Sequence, residues 1–411
     1  MSTEPAGLAA RVVVVGAGHA AATLVGLLRQ AGHTGEIVLV GDELDHPYQR
    51  PPLSKKFAEG ELEQWIRPVE FYAEQGVTVR LGERATAIDV AARVLTLQGG
   101  DTVDYDVLVL ATGARPRPLP VPGADLSGVG ALRTLGDARV LRKWLDEERR
   151  LVVVGGGYIG LEVAAVVRSR GSAATVLERE DRLLARVASP ELSAIMAERH
   201  GAAGTEIRTG AQVVGIEGDA GQVRQVVLAD GSTLDADAVL VGVGAIPNAS
   251  LAEEAGIGCE GGGIVVDETA RTDVDGILAI GDVTVRPIAG LPGRRRLESI
   301  PSATEQAKQA VATIHGTAQP APEVPWFWSD QFDLKLKIAG IVAPGQQTVL
   351  RGDSSTGRFA LFHLVDGVPV AVESANAAPE FMAGKKWISA GTRVDPERLA
   401  DPGSQPRDAV V

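Results

Sequence analysis

The sequence predicts an α/β fold: two Rossmann-like β–α–β domains with a C-terminal α+β domain behind them. Three observations carry this. A run of β-branched residues breaks at glycines and becomes a helical pattern twice, in "RVVVVGAGHAAATLVG" (11–26) and "LVVVGGGYIGLEVAAV" (151–166). Each stretch leads to a second strand that ends on an acid, and then to alternating strands. Beyond residue 326 the text turns aromatic and alternates again, as in "RFALFHLVDGVPVAVES".

The 411 residues suit two or three domains at roughly 150 residues each. An apolar content of 45% supports a large core and argues against disorder away from the ends. The net charge of −13 argues against a nucleic-acid binder. Cys259 is the one cysteine, so there is no intramolecular disulfide, no Cys-x-x-Cys pair and no cysteine-held cluster. The six histidines lack metal-ligand spacing, and no metal is expected. "MSTEPAGLAARVVVV" does not read as a signal peptide. The apolar stretch 12–28 is interrupted by Gly16, Gly18, His19 and Thr23, so it does not read as a membrane span. A cytoplasmic, membrane-free protein is expected.

Taken in order, the first unit is strand Val12–Val15, turn Gly16–Ala20, a helix to about Gln30, and strand Ile37–Val40. "HPYQRPPLSKKF" is a proline-bearing loop entering a short helix. Residues 77–110 read as a small antiparallel sheet and a return to the first sheet. Four prolines in "PRPLPVPG" (116–123) favour extended backbone and mark a crossing between domains. The second unit has a helix near 136–149, strand 151–154, the glycine turn and its helix, and strand 173–178. Strands "GAQVVGIEG", "VRQVVLADG" and "ADAVLVGVGAIPN" close it. Two strands follow from 264, the second ending near Asp282, then a helix over 302–315. The tail from about Asp401 is expected to fray.

Gly16-Ala17-Gly18-His19-Ala20-Ala21 fits G-x-G-x-x-G/A. The first glycine allows a tight turn, the second lets a pyrophosphate approach, and the third position must be small. The helix N-terminus then offers free N–H groups to phosphates. Asp42 ends the next strand, where a ribose-binding acid belongs. Gly155, Gly157 and Gly160 satisfy the fingerprint fully, with Tyr158 and Ile159 between, and Glu178 is the matching acid. A carboxylate there favours NADH over NADPH. The neighbouring Arg179 reads either as a solvated arginine or as a phosphate contact.

Two cradles, "ATG" at 111–113 and "IGD" at 280–282 together resemble the two-dinucleotide flavoproteins of glutathione-reductase type. "YQRPPLSKKF", "LRTLGDA", "GGGYIGLEVAA", "LESIPSATEQA" and "PWFWSDQFDLKLKIAG" narrow the likeness to the NADH-dependent ferredoxin reductases of putidaredoxin-reductase and ring-dioxygenase type. The resemblance runs from about Arg11 to Val394. It implies FAD and NADH as cofactors, with an FAD domain over 1–115 and 246–322. An NAD domain over 116–245 is inserted between these, and a C-terminal α+β domain follows over 323–411.

It also implies roles. Gly16, Gly18, His19, Ala20, Ala21, Asp42, Ala85, Thr112, Gly113, Arg133, Gly281, Asp282, Ser299 and Ile300 would serve FAD. Gly155, Gly157, Tyr158, Ile159, Gly160, Glu162 and Glu178 would serve NADH. Lys55, Glu162 and Trp328 would carry catalysis, with Lys55 near the flavin N5. On residue type alone, Lys55 also reads as a surface lysine, and Trp326 and Trp328 as packing.

The missing cysteine pair separates the chain from disulfide reductases of this fold. Electrons would instead leave singly for a separate [2Fe-2S] ferredoxin that feeds a haem monooxygenase or a ring dioxygenase. An acidic protein needs a local basic patch to dock an acidic partner. Candidates are Arg294, Arg295, Arg296, Lys335 and Lys337, with Lys385 and Lys386. A monomer or weak dimer is expected. The alternatives are an NADH oxidase-type flavoenzyme and an NADH-sensing flavoprotein like apoptosis-inducing factor.

Overall fold

The computed structural model describes residues 5–411. The chain forms two units. One comprises the chain up to Gln49, with Glu63–Arg115 and Ile246–Pro325. The other comprises Arg50–Leu62, Pro116–Ala245 and Trp326–Val411.

The first unit is built on a five-stranded parallel sheet. Its order is Ile277–Ala279, Val107–Leu110, Val12–Val15, Ile37–Gly41, Val77–Leu81. These strands are apolar at nearly every position because both faces are covered. Val12, Val14, Ile37 and Leu39 face a layer containing Ala21, Leu24, Ala303, Ala307 and Ala310. Those residues belong to helices His19–Gln30 and Ile300–His315. Val13, Val15, Val38 and Val40 face the other way, towards Ile88, Leu95 and Leu97. These sit on the antiparallel sheet Ala85–Asp89, Val94–Leu97, Thr102–Asp104.

The segment "VTVRLG" departs from expectation. It forms the edge strand of the parallel sheet instead of joining the small antiparallel one. The alternation that marks a strand does not name its partner.

In the second unit a parallel sheet runs Glu206–Arg208, Ala174–Leu177, Leu151–Val154, Ala238–Val241, Val129–Gly130. A three-stranded antiparallel sheet packs on it through Ile216, Val223 and Val226. Helix Leu135–Asp146 is fixed at its start by a capping box between Thr134 and Asp137. Helix Pro190–Ala202 was not expected, although Ser189 caps it and Pro190 opens it. The C-terminal sheet is antiparallel, ordered Trp326–Gln331, Leu334–Gly340, Val368–Ala375, Arg358–Val365, Gln347–Asp353, with helix Ala378–Ala390.

The tail is pinned where fraying was expected. The buried Arg351 guanidinium donates to the carbonyls of Leu399, Asp401 and Ser404. Val410 bridges to Val394, and Ala409 is buried. Among the described residues, no helix is long and apolar enough to cross a membrane.

Candidate dinucleotide cradles and the ion pair beside them

Each cradle is explained by what a side chain would strike. Gly16 has φ +108°, and an added Cβ would lie 2.2 Å from the Ala111 carbonyl oxygen. Gly18 caps helix His19–Gln30 without a side-chain hydrogen bond, and a Cβ there meets no atom within 4 Å. Free amides facing open space suit a pyrophosphate. Ala21 is fully buried between helix and sheet.

Of the other first-unit candidates, Asp42, Thr112, Gly113, Gly281 and Asp282 follow the ends of parallel strands. Gly281 meets Ala20, whose Cβ would lie 3.1 Å from an added Cβ. The Gly281 amide donates to Gln306 Oε1 at 3.2 Å. That oxygen also accepts from Thr284 at 2.7 Å, which fixes the turn carrying the half-buried Asp282. Ser299 caps the helix begun by Ile300 and Pro301. Thr112 donates to the Asn248 carbonyl at 2.7 Å, and the Gly113 carbonyl accepts from the Asn248 amide at 2.9 Å. His19 and Gln49 pair at 2.7 Å. Asp42 is exposed at the end of its strand, and Ala85 opens the first antiparallel strand.

In the second cradle, Cβ atoms at Gly155 and Gly160 would lie 2.4 Å from the Gly242 carbonyl oxygen and 2.5 Å from the Gly155 carbonyl oxygen. Gly157 is the open, uncapped N-terminus of helix Tyr158–Ser169. Glu178 accepts from the Gly156 amide at 2.7 Å and from the Glu180 amide at 2.8 Å, so its carboxylate stands at the cradle's rim. Arg179 is exposed and pairs with Glu180 at 2.9 Å. Ile159 is also exposed. The buried Tyr158 hydroxyl has no hydrogen-bond partner. Burial, with Glu373 and Glu162 nearby, pushes it well above the ordinary tyrosine value. An orphaned donor beside a nucleotide helix fits a polar ligand group.

Glu162, one turn along that helix, is the most tightly held acid of the site. It is 3% exposed and accepts from three donors. Lys55 Nζ and Ser329 Oγ each lie 2.5 Å from Oε1, and Ser54 Oγ donates to Oε2. Lys55 is itself only 12% exposed, so it is no surface lysine. Its short helix, Pro52–Lys55, is anchored by Arg142, which donates to the carbonyls of Phe57 at 2.6 Å and Gly60 at 2.9 Å. The Arg133 carbonyl accepts from Arg50 at 2.5 Å.

Sequence reasoning found Lys55 and Glu162 but not Ser54, Ser329, Gln331 or His200. Serine and glutamine carry no pattern, and Ser329 lies 167 residues from its partner.

Trp328 packs beside Trp326, with centroids 5.8 Å apart. Lys385 lies 5.2 Å over the Trp326 ring, and Lys337 lies 5.6 Å over Phe381. Lys335 and Lys386 are exposed. In the first unit, Arg294 pairs with Glu260 at 3.3 Å and Arg296 pairs with Glu298, while Arg295 is exposed. Cys259 is half-buried, and burial with Glu253 and Asp273 raises its thiol. Among the described residues, no group of His, Cys, Asp and Glu is placed to hold a metal.

Residues 10–307 match the pyridine nucleotide-disulphide oxidoreductase family, and residues 326–410 match the reductase C-terminal family. A probable ferredoxin reductase of Castellaniella defragrans is 46% identical over 95% of this chain and 97% of its own. The putidaredoxin reductase of Pseudomonas putida is 39% identical, covering 95% and 94%. Among solved structures, a ferredoxin reductase for the CYP199A2 system from Rhodopseudomonas palustris superposes with a TM-score of 0.93. It is 39% identical and covers 97% of this chain and 99% of that one. The covalent putidaredoxin reductase–putidaredoxin complex gives 0.92 at 38% identity, covering 97% and 98%. With both cradles formed and both domains matched, the chain belongs to the pyridine nucleotide-disulphide oxidoreductase family, among its FAD- and NAD(P)H-using ferredoxin reductases.

Proposed function

We propose that the chain is an FAD-dependent NADH:ferredoxin reductase serving an oxygenase. The observation that carries this is the pair of open glycine cradles in a chain with a single cysteine. Two dinucleotides have places to bind, and the chain has no dithiol of its own to receive electrons. FAD held by the first cradle would supply the conversion of a hydride from NADH into single electrons.

The amides after Gly18 and Gly157 hold the two pyrophosphates, and Asp42 and Glu178 bind the ribose hydroxyls. Glu178 disfavours a 2′-phosphate by charge. Lys55, held by Glu162, places an ammonium beside the flavin. Tyr158 borders the nicotinamide pocket. Pointed at the flavin ring, the positive start of helix Ile300–His315 would stabilise the anionic reduced flavin. The acceptor is a [2Fe-2S] ferredoxin, approaching the Trp326–Trp328 pair with Lys335, Lys337 and Lys385 beside it. Arg294, Arg295 and Arg296 are the alternative face. The domain division is 1–115 with 246–322 for FAD, 116–245 for NADH, and 323–411 for the acceptor side. The protein works in the cytoplasm as a monomer or weak dimer.

The test is stopped-flow reduction of the purified yellow protein by NADH, followed by mixing with ferredoxins. Rapid cytochrome c reduction that requires added ferredoxin supports the reading. Equal turnover with oxygen alone, or a long-lived reduced complex that no ferredoxin discharges, would overturn it.

A further inference from the structure

The edge strand Trp326–Gln331 has two working faces, because side chains alternate along a strand. Trp326 and Trp328 lie on one. Phe327, Ser329 and Gln331 lie on the other, and each touches the nucleotide-binding part of its own unit. Phe327 meets the Tyr158 ring edge-on, with centroids 4.9 Å apart. Ser329 donates to Glu162, and Gln331 Oε1 lies 2.9 Å from His200 Nε2.

These bonds have a direction. His200 is fully buried, and burial lowers its pKa, so the ring is neutral near pH 7. Thr205 Oγ1 lies 3.4 Å from Nδ1. The Gln331 amide oxygen can only accept, so it takes the Nε2–H. That turns the Gln331 amide so that its nitrogen donates to Ser329 Oγ at 3.1 Å. The single hydroxyl proton of Ser329 is then left for Glu162 Oε1. Three successive donors point at one carboxylate, an arrangement in which each bond polarises the next. Ser54 ties the other oxygen. A carboxylate held at both oxygens cannot rotate to follow the lysine. The lysine must settle where the carboxylate puts it.

We propose that Ser329, backed by Gln331 and His200, is a positioning residue for hydride transfer: it aims Glu162, and through Glu162 the Lys55 ammonium. The inference rests on the reading of Lys55 as a flavin-side residue. It adds that the strand carrying the two tryptophans also sets the geometry of that ion pair.

The test uses the full-length holoenzyme. In single turnovers with NADH, Ser329→Ala lowers the limiting rate of flavin reduction about tenfold, because sub-ångström misplacement of an oriented group costs that much. The NADH dissociation constant changes less than the rate does, since the glycine turn and Glu178 are untouched. The two-electron midpoint potential of the flavin moves from the wild-type value. Ser329→Thr, which keeps the hydroxyl, restores both rate and potential. Gln331→Leu, which cuts the next link, gives the same pattern more weakly and carries the test if Ser329→Ala does not retain flavin. Wild-type rate and potential in the alanine and leucine variants would overturn the proposal. So would a threonine variant as slow as the alanine one. Failure of the wild-type protein to take electrons from NADH would instead sink the reductase reading itself.

Discussion

Gly160→Ala puts a single methyl group where the second cradle has no room. The added Cβ would lie 2.5 Å from the Gly155 carbonyl oxygen and 3.0 Å from Val153 Cγ1. The first contact is with backbone, which cannot swing away. Reaching ordinary contact distance requires the start of helix Tyr158–Ser169 to move by roughly 0.5–1 Å. Overpacking of this kind costs about 1–3 kcal/mol, offset by about 1 kcal/mol because alanine favours helix over glycine. The unit therefore folds, with a modest fall in melting temperature. The larger effect is on the ligand, because the displaced amides are those proposed to meet the pyrophosphate. At about 1.4 kcal/mol per tenfold, loss of one well-made hydrogen bond weakens NADH about tenfold. The assay is the NADH dissociation constant from stopped-flow reduction, with flavin content measured on the same sample. Flavin content should stay full, since the substitution leaves the first cradle unaltered. A variant that binds NADH within about twofold of wild type would show that the helix start does not hold the nucleotide.

Gly16→Ala is more severe, since φ is +108° and the Cβ would sit 2.2 Å from the Ala111 carbonyl oxygen; the protein should purify colourless, as an absorbance spectrum shows. Glu178→Gln removes the charge proposed to oppose a 2′-phosphate, so the ratio of kcat/KM for NADH over NADPH should fall about tenfold, and an unchanged ratio would refute that role for Glu178. Acid should destabilise the fold through three histidines, because burial lowers His33, His200 and His315 below the ordinary value of 6.5. The unfolded chain then binds more protons, so this stability is complete above about pH 6.5 and is lost as pH falls through the lowered folded-state values. Melting temperatures taken from pH 7.5 down to 5 should decline, less so in His33→Gln, and a flat profile would contradict the linkage.

Much of the site was legible because its signals are local. A glycine forced by a carbonyl 2.2–2.5 Å away needs no distant information once strand and helix flank it, as at Gly16, Gly155 and Gly160. Glu178 was found for the same reason, at the end of the strand that follows its cradle. The family resemblance added Lys55 and Glu162, which no local pattern marks. Their partners stayed hidden. Ser54 and Ser329 converge on one carboxylate from 108 and 167 residues away, and hydroxyls leave no periodic trace.

The sequence by itself determined the two β–α–β units, their glycine turns and the absence of a dithiol. Those follow from steric and hydrogen-bonding rules acting over a few residues. Only the tertiary structure decided that Val77–Leu81 joins the parallel sheet and that Arg351 pins the tail. It also decided that a buried glutamate accepts a hydrogen bond from a C-terminal strand. Strand partners, burial and side-chain convergence are set by long-range packing, which the chain acquires only on folding.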